Sequence, residues 1–552
     1  MKKTISALVF AVAVLSSCSD NISPIEALNE KLKEEEQYVF SEGQTVLGKT
    51  IDIPYTIDNL KKALDLLPPE TKAAINEEDF APTHYYVRFH PINIPELDIL
   101  INISPRIILS ETPLDREVVM GGTYYHDPSL PEDMPTYQYS TLSIERWNEI
   151  ADTLSVEHEI LLEAYMPDYY DEGDGTKANQ GDYMNPAMEA LMRKAYEMTG
   201  HEYESSAPTK GASWNPSGYI RAYDNFAGYV PIQNVRVRAT HLLNVKEALT
   251  DAQGHFLIGT FKNPVSLKVI WESDAWDIRH GNIGQATYDG PNNTNVPWNL
   301  DISSNLTSSI HYAAIHRAAN RNIYGYNRGL SRPIYSRKIK IAYMEDGING
   351  GATGGEFNTV PVGGTLPDIR IAGIDYNGTR EPSRVFSSCC HEMGHAAHYK
   401  NGNYSDSSNQ IRESWAIFTQ YLLTIQEYTE LGCVSSLFEY YSSGQLVFDN
   451  VYNFQIRTND PHFMTYTPIF VDMYDDINQR ESHNYDPYSS DEISGMPPSM
   501  IEDFAYESDS IYELESNLLS YASAYPYNPY NVTYITVIDL LSSYESSMYV
   551  EF

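Results

Sequence analysis

Residues 381–402 constrain the fold more than any other stretch of this chain. Thr379 or Glu381 can cap a helix, Pro382 is tolerated in a first helical turn, and Asn401-Gly402 forms a stop signal. Between them Val385, Phe386, Cys389, Cys390, Met393, Ala396 and Ala397 supply an apolar surface. The spacing predicts a helix of about five turns, much of it buried. Inside it stands His391-Glu392-Met393-Gly394-His395. Residues four apart share one helix face, so both imidazoles can reach a single metal ion with the Glu392 carboxylate beside it. A largely apolar helix seldom carries such a set without a use for it, because buried polar groups need partners.

Two histidines leave a metal site incomplete. Residues 401–410 are polar and read as a loop, and Ile411 to Phe418 reads as the start of a second helix. If the two helices pack antiparallel, Glu413 comes back to the histidines as the third ligand. An HExxH helix followed by a helix with a ligating Glu resembles the gluzincin group of metallopeptidases. The resemblance covers roughly residues 300–480. It implies an α+β zincin domain in which His391, His395 and Glu413 hold Zn2+ and Glu392 is the general base. The Gly-x-Met-Glu-Asn signature of aminopeptidases is absent; Tyr343-Met344-Glu345-Asp346 is a partial echo, so an aminopeptidase is not implied. His398 shares the face of His391 but lies about 10 Å further along the axis. It is read as a supporting or structural residue. Beyond Glu413, His462, Tyr466 and Tyr474 are candidates for oxyanion stabilisation.

Composition narrows the partners. The formal net charge of −38 repels nucleic acid and bare anionic membrane. It favours solubility and permits cationic or neutral substrates; a protein or peptide substrate is what the metallopeptidase resemblance implies. Lys2-Lys3, the apolar run Ala7 to Leu15 and Leu15-Ser16-Ser17-Cys18 form an export signal. The last four residues resemble a bacterial lipobox. That resemblance implies cleavage of residues 1–17, lipidation of Cys18, and residence in the bacterial cell envelope, at the outer membrane, with the lipid as the only membrane attachment. The three remaining cysteines, Cys389, Cys390 and Cys433, allow at most one disulfide and read as packing.

The fold class expected is a multidomain α/β protein. Residues 18–49 read as a tether with a short helix, and 50–205 as an N-terminal α+β region in which His84–His90 and Ile99–Leu109 look extended. Residues 206–290 carry short strands at Gly218–Tyr223, Val235–Ala239, Phe256–Ile258 and Val265–Trp271. Pro231 to Val237 followed by Thr250 to Phe256 resembles the carboxypeptidase regulatory-like domain, a small transthyretin-like β-sandwich. Residues 296–552 form the zincin-like region. There Pro367 to Gly373 reads as a strand offering its edge to a peptide, and the Gly-rich run Gly347 to Gly364 as a flap. The function expected is a lipid-anchored zinc metallopeptidase. The competing reading is a surface peptide- or glycan-binding lipoprotein with a zincin-like fold and no turnover.

Overall fold

The computed structural model describes residues 39–103, 107–167, 185–203, 213–293, 295–351, 354–359, 367–433, 467–476 and 492–545. Among the described residues no helix is long and apolar enough to cross a membrane.

In the N-terminal region, strands β1 (His84–His90), β2 (Gln138–Ser143) and β3 (Glu157–Ala164) form an antiparallel sheet with β1 in the centre. Helices Ile57–Asp65 and Pro186–Met198 join its core through Leu60 and Leu191. Two expectations change here. Ile99 to Ile101 end a helix, Ile94–Ile101, rather than starting a strand. Asn93 caps that helix by accepting from the Glu96 N–H at 2.9 Å, and Pro95 sits in its first turn. The end of the expected tether is strand: Val46–Thr50 pairs antiparallel with Arg116–Gly121.

Alternating apolar residues then build two facing sheets. One contains β4 (Ser217–Asp224), to which β5 (Gly228–Pro231) pairs; the other is nucleated by β6 (Arg236–His241) and β7 (Asn244–Leu249). β8 (His255–Leu257) returns to β4, and β9 (Val265–Ile270) to β6. The chain then leaves the pair of sheets. β10 (Trp276–His280) and β11 (Gly284–Gln285) belong to a different sheet, while β12 (Thr287–Asn293) comes back beside β9 and β13 (Trp298–Ile302) beside β4. On β13, Trp298, Leu300 and Ile302 are buried while Asn299 and Asp301 are exposed, the two-residue period of a half-buried strand. The sandwich therefore runs past residue 290 to Ile302 and lends two strands to its neighbour.

That neighbour positions the site. After helix α1 (Thr307–Ile323), β14 (Ile339–Met344) pairs parallel with β10. Strands β15 (Gly355–Phe357) and β16 (Ile369–Ala372) complete a five-stranded sheet of order β11-β10-β14-β16-β15. The expected edge, Pro367 to Gly373, lies one strand inside the real one. β16 is covered by β15, which comes from the Gly-rich run. Helices α2 (Pro382–Asn401) and α3 (Asn409–Glu430) follow, and α2 packs on both α1 and α3. A continuous core joins Ile220 and Val237 of the two sandwich sheets to Ile315 of α1, Ile341 of β14 and Met393 of α2. A second core sets Trp415 and Phe418 of α3 against Ile501, Leu514 and Leu540 of the C-terminal helices.

Buried charges fasten these layers. Arg317 on α1 donates to Asp224 at 2.9 Å and to Glu427 on α3 at 3.0 Å, and the Tyr428 hydroxyl donates to the same Asp224 oxygen at 2.7 Å. Removing one partner of such a buried set typically costs about 3–5 kcal/mol, because the other charge is left alone in the interior.

Candidate metal centre

Pro382 occupies the first turn of α2, and Gly402 ends the helix by donating its N–H to the His398 carbonyl at 2.8 Å. The helix is buried along nearly its whole length. α3 begins at Ser408, whose hydroxyl caps it by accepting from the Ile411 N–H. Gly394 sits where the helices meet. A Cβ there would stand 2.0 Å from Thr419 Oγ1, so only glycine allows this approach.

The close approach delivers Glu413 to the histidines. Its Oε2 lies 3.2 Å from His391 Nε2 and 3.2 Å from His395 Nε2. The three ligand atoms fall within 4.8 Å of one another, and among the described residues this is the one such group of His, Cys, Asp or Glu. Ligand atoms around a tetrahedral zinc, at bonds of about 2.0–2.1 Å, stand about 3.3 Å apart. Two imidazole nitrogens and a carboxylate oxygen at this spacing fit a divalent metal of the zinc kind. The outer hydrogen bonds fit as well. Gln420 Oε1 lies 3.1 Å from His391 Nδ1, and an amide oxygen only accepts, so Nδ1 donates to it and Nε2 faces the cluster. Gln420 is itself held, donating to Ser387 Oγ at 2.8 Å.

The electrostatics agree with the geometry. Burial alone would raise the Glu413 carboxyl. The hydrogen bonds from His391 and His395 outweigh burial and hold it well below the usual carboxylate range. Glu392 goes the other way. Burial raises its carboxyl, His391 and His395 oppose, and Glu413 and Glu356 add to the rise. A buried carboxyl of raised pKa is suited to taking up a proton and passing it on. Edge strand β15 is pressed against it: a Cβ on Gly355 would meet Glu392 Oε1 at 2.5 Å.

An aromatic wall adjoins the cluster. The Phe357 ring of β15 stacks 6.3 Å from His395, and Tyr404 stands 5.8 Å from each of them. Burial pushes the Tyr404 hydroxyl up to about 12, with Arg412 opposing and the charges of Glu413 and Glu392 adding. Tyr404 is the one aromatic residue in the polar loop 401–410, the only local signal in the sequence that points to it.

The other candidates are not in the cluster. His398 donates from Nε2 to Asn403 Oδ1 at 3.1 Å and stacks on Tyr506 with centroids 4.7 Å apart. Tyr474 packs on Phe418 and Tyr421, and its hydroxyl accepts from Arg328 at 3.1 Å. His462, Tyr466 and Cys18 lie outside the described residues. Cys389, Cys390 and Cys433 are free thiols. Burial pushes both buried thiols up, Cys390 to about 12, so Cys389 and Cys390 remain protonated packing groups.

No protein-family model, curated protein or solved structure matches this chain.

Proposed function

We propose that the chain is a gluzincin-type zinc metallopeptidase, held at the bacterial cell envelope by a lipid on Cys18. The observation that carries the reading is the convergence of Glu413 Oε2 on both histidine Nε2 atoms at 3.2 Å, with Glu392 next in sequence to one of them and buried beside edge strand β15.

In this reading His391, His395 and Glu413 hold Zn2+. The bound ion supplies Lewis acidity towards the peptide carbonyl and towards water. Glu392 accepts a proton from the attacking water as its oxygen adds to the carbonyl carbon. It then delivers that proton to the departing nitrogen as the C–N bond breaks. Gln420 keeps His391 in one tautomer and orientation. Among the described residues β15 pairs only with β16, so its outer backbone groups can add an extended peptide as a further strand beside Glu392. A binding protein without turnover would have no use for a carboxylate buried at this point.

Metal analysis of the purified protein, followed by exposure to a mixed peptide library, tests the reading. The expected result is one zinc per chain and hydrolysis abolished by chelation and restored by zinc. A protein that holds zinc yet cleaves no member of the library leaves the binding reading in its place.

A further inference from the structure

Arg412 immediately precedes Glu413 on α3. Its guanidinium stands over the Tyr404 ring, 4.9 Å from the centroid. Tyr404 is 5.8 Å, ring to ring, from both His395 and Phe357. The guanidinium is thus one ring removed from the metal cluster and from the edge strand.

Among the described residues no carboxylate pairs with Arg412, and its Nε is buried without a hydrogen-bond partner. The chain has 75 acidic and 37 basic residues, so carboxylates are not scarce. Other arginines of the fold have theirs: Arg236 with Glu247, Arg279 with Asp277, Arg317 with Asp224, Arg337 with Asp368. Arg412 also sits near the positive end of its helix dipole, where a cation is disfavoured. Packing alone does not call for a charge there. A planar guanidinium, pre-oriented by an aromatic ring and left without an acid among the described residues, matches a carboxylate from outside.

We propose that Arg412 is the carboxylate-recognising residue beside the metal cluster, and that the substrates are peptides presenting a carboxylate close to the scissile bond. The carboxylate comes either from a free C-terminus or from an Asp or Glu side chain. Tyr404 holds the guanidinium in place, which lowers the ordering cost of binding. The inference rests on the metallopeptidase reading of the site.

Its test is a binding measurement that needs no turnover. The probes are alanine-based hexapeptides in matched pairs: C-terminal acid against amide, and one internal Glu against Gln. Affinities are measured by calorimetry on Glu392→Gln protein, alone and combined with Arg412→Gln or Arg412→Lys. One pair should show the acid bound roughly 10- to 100-fold more tightly, the range of one charge-assisted hydrogen bond. That pair also tells which source of carboxylate is read. Arg412→Gln should bring its two affinities together, and Arg412→Lys should keep part of the gap, which separates lost charge from lost fold. Equal affinities within both pairs, including no binding at all, overturn the proposal. So does a preference that survives Arg412→Gln. Absence of zinc or of hydrolysis in the wild-type protein instead counts against the metallopeptidase reading and is read separately.

Discussion

Gly394 and Thr419 are in backbone-to-side-chain contact across two helices, with no room between them for one more carbon. The glycine inside His391-Glu392-Met393-Gly394-His395 therefore sets the separation of α2 and α3, and through it the reach of Glu413. Gly394→Ala should force the helices apart. On an open helix the change would be stabilising by roughly 0.5–1 kcal/mol. Here overpacking should reverse the sign and cost about 1–3 kcal/mol. Urea denaturation together with a zinc titration checks this, and both stability and zinc affinity should fall.

Glu413 and His398 make a discriminating pair. Glu413 bridges both histidines at 3.2 Å, whereas His398 is occupied by Asn403 and Tyr506. Glu413→Ala should strip most of the metal from protein purified without added zinc. His398→Ala should leave the metal content near one per chain and lower only stability. The opposite pattern in elemental analysis would remove Glu413 from the site.

Acid should unfold the protein by way of its buried histidines. His316 donates from Nε2 to the Gln233 carbonyl and accepts from Trp276 Nε1 at 3.1 Å, which fixes it as neutral. Burial lowers it from 6.5 to about 4, and His311 on the same helix is lowered likewise. Between pH 6.5 and 4 the unfolded chain binds protons that the folded chain does not. Stability should therefore be unaffected by these groups above pH 6.5, decline as pH falls through that window, and level off below about 4. For His316 alone the full shift is worth on the order of 3 kcal/mol. Denaturant midpoints measured every half unit of pH would reveal the slope; a flat profile from pH 6.5 to 4 would contradict it.

Anchoring is separable from all of this. Cys18→Ala should move the protein from the membrane fraction to the soluble fraction of the expressing bacterium, leaving zinc content unchanged. Retention of the variant in the membrane fraction would count against lipidation at Cys18.

The α2–α3 hairpin was legible because its signals are local. Pro382, Gly402 and the four-residue histidine spacing fix one helix, and a polar loop brackets the next. The sandwich strands were legible from two-residue alternation. The excursion of Trp276–His280 into the neighbouring sheet was not, since its partner Ile339–Met344 lies some sixty residues on and nothing in the strand itself names it. Edge strand Gly355–Phe357 was hidden by composition. Glycines at 354 and 355 lower strand propensity, yet Gly355 is there because Glu392 leaves no space for a side chain. Tyr404 was missed because its neighbours are polar and its partners, Phe357 and His395, are distant or on another element.

The central claim is that Glu392 does proton-transfer chemistry at a metal held by its neighbours, and the most direct measurement is peptide hydrolysis by Glu392→Gln. The amide is nearly isosteric with the carboxylate and does not enter the His391, His395, Glu413 set, so zinc content should equal that of the wild type. Hydrolysis should fall by about 10²–10⁴-fold or more, because the same group both receives the water proton and delivers it to the leaving nitrogen. Near-wild-type hydrolysis by fully metallated Glu392→Gln protein would contradict the account.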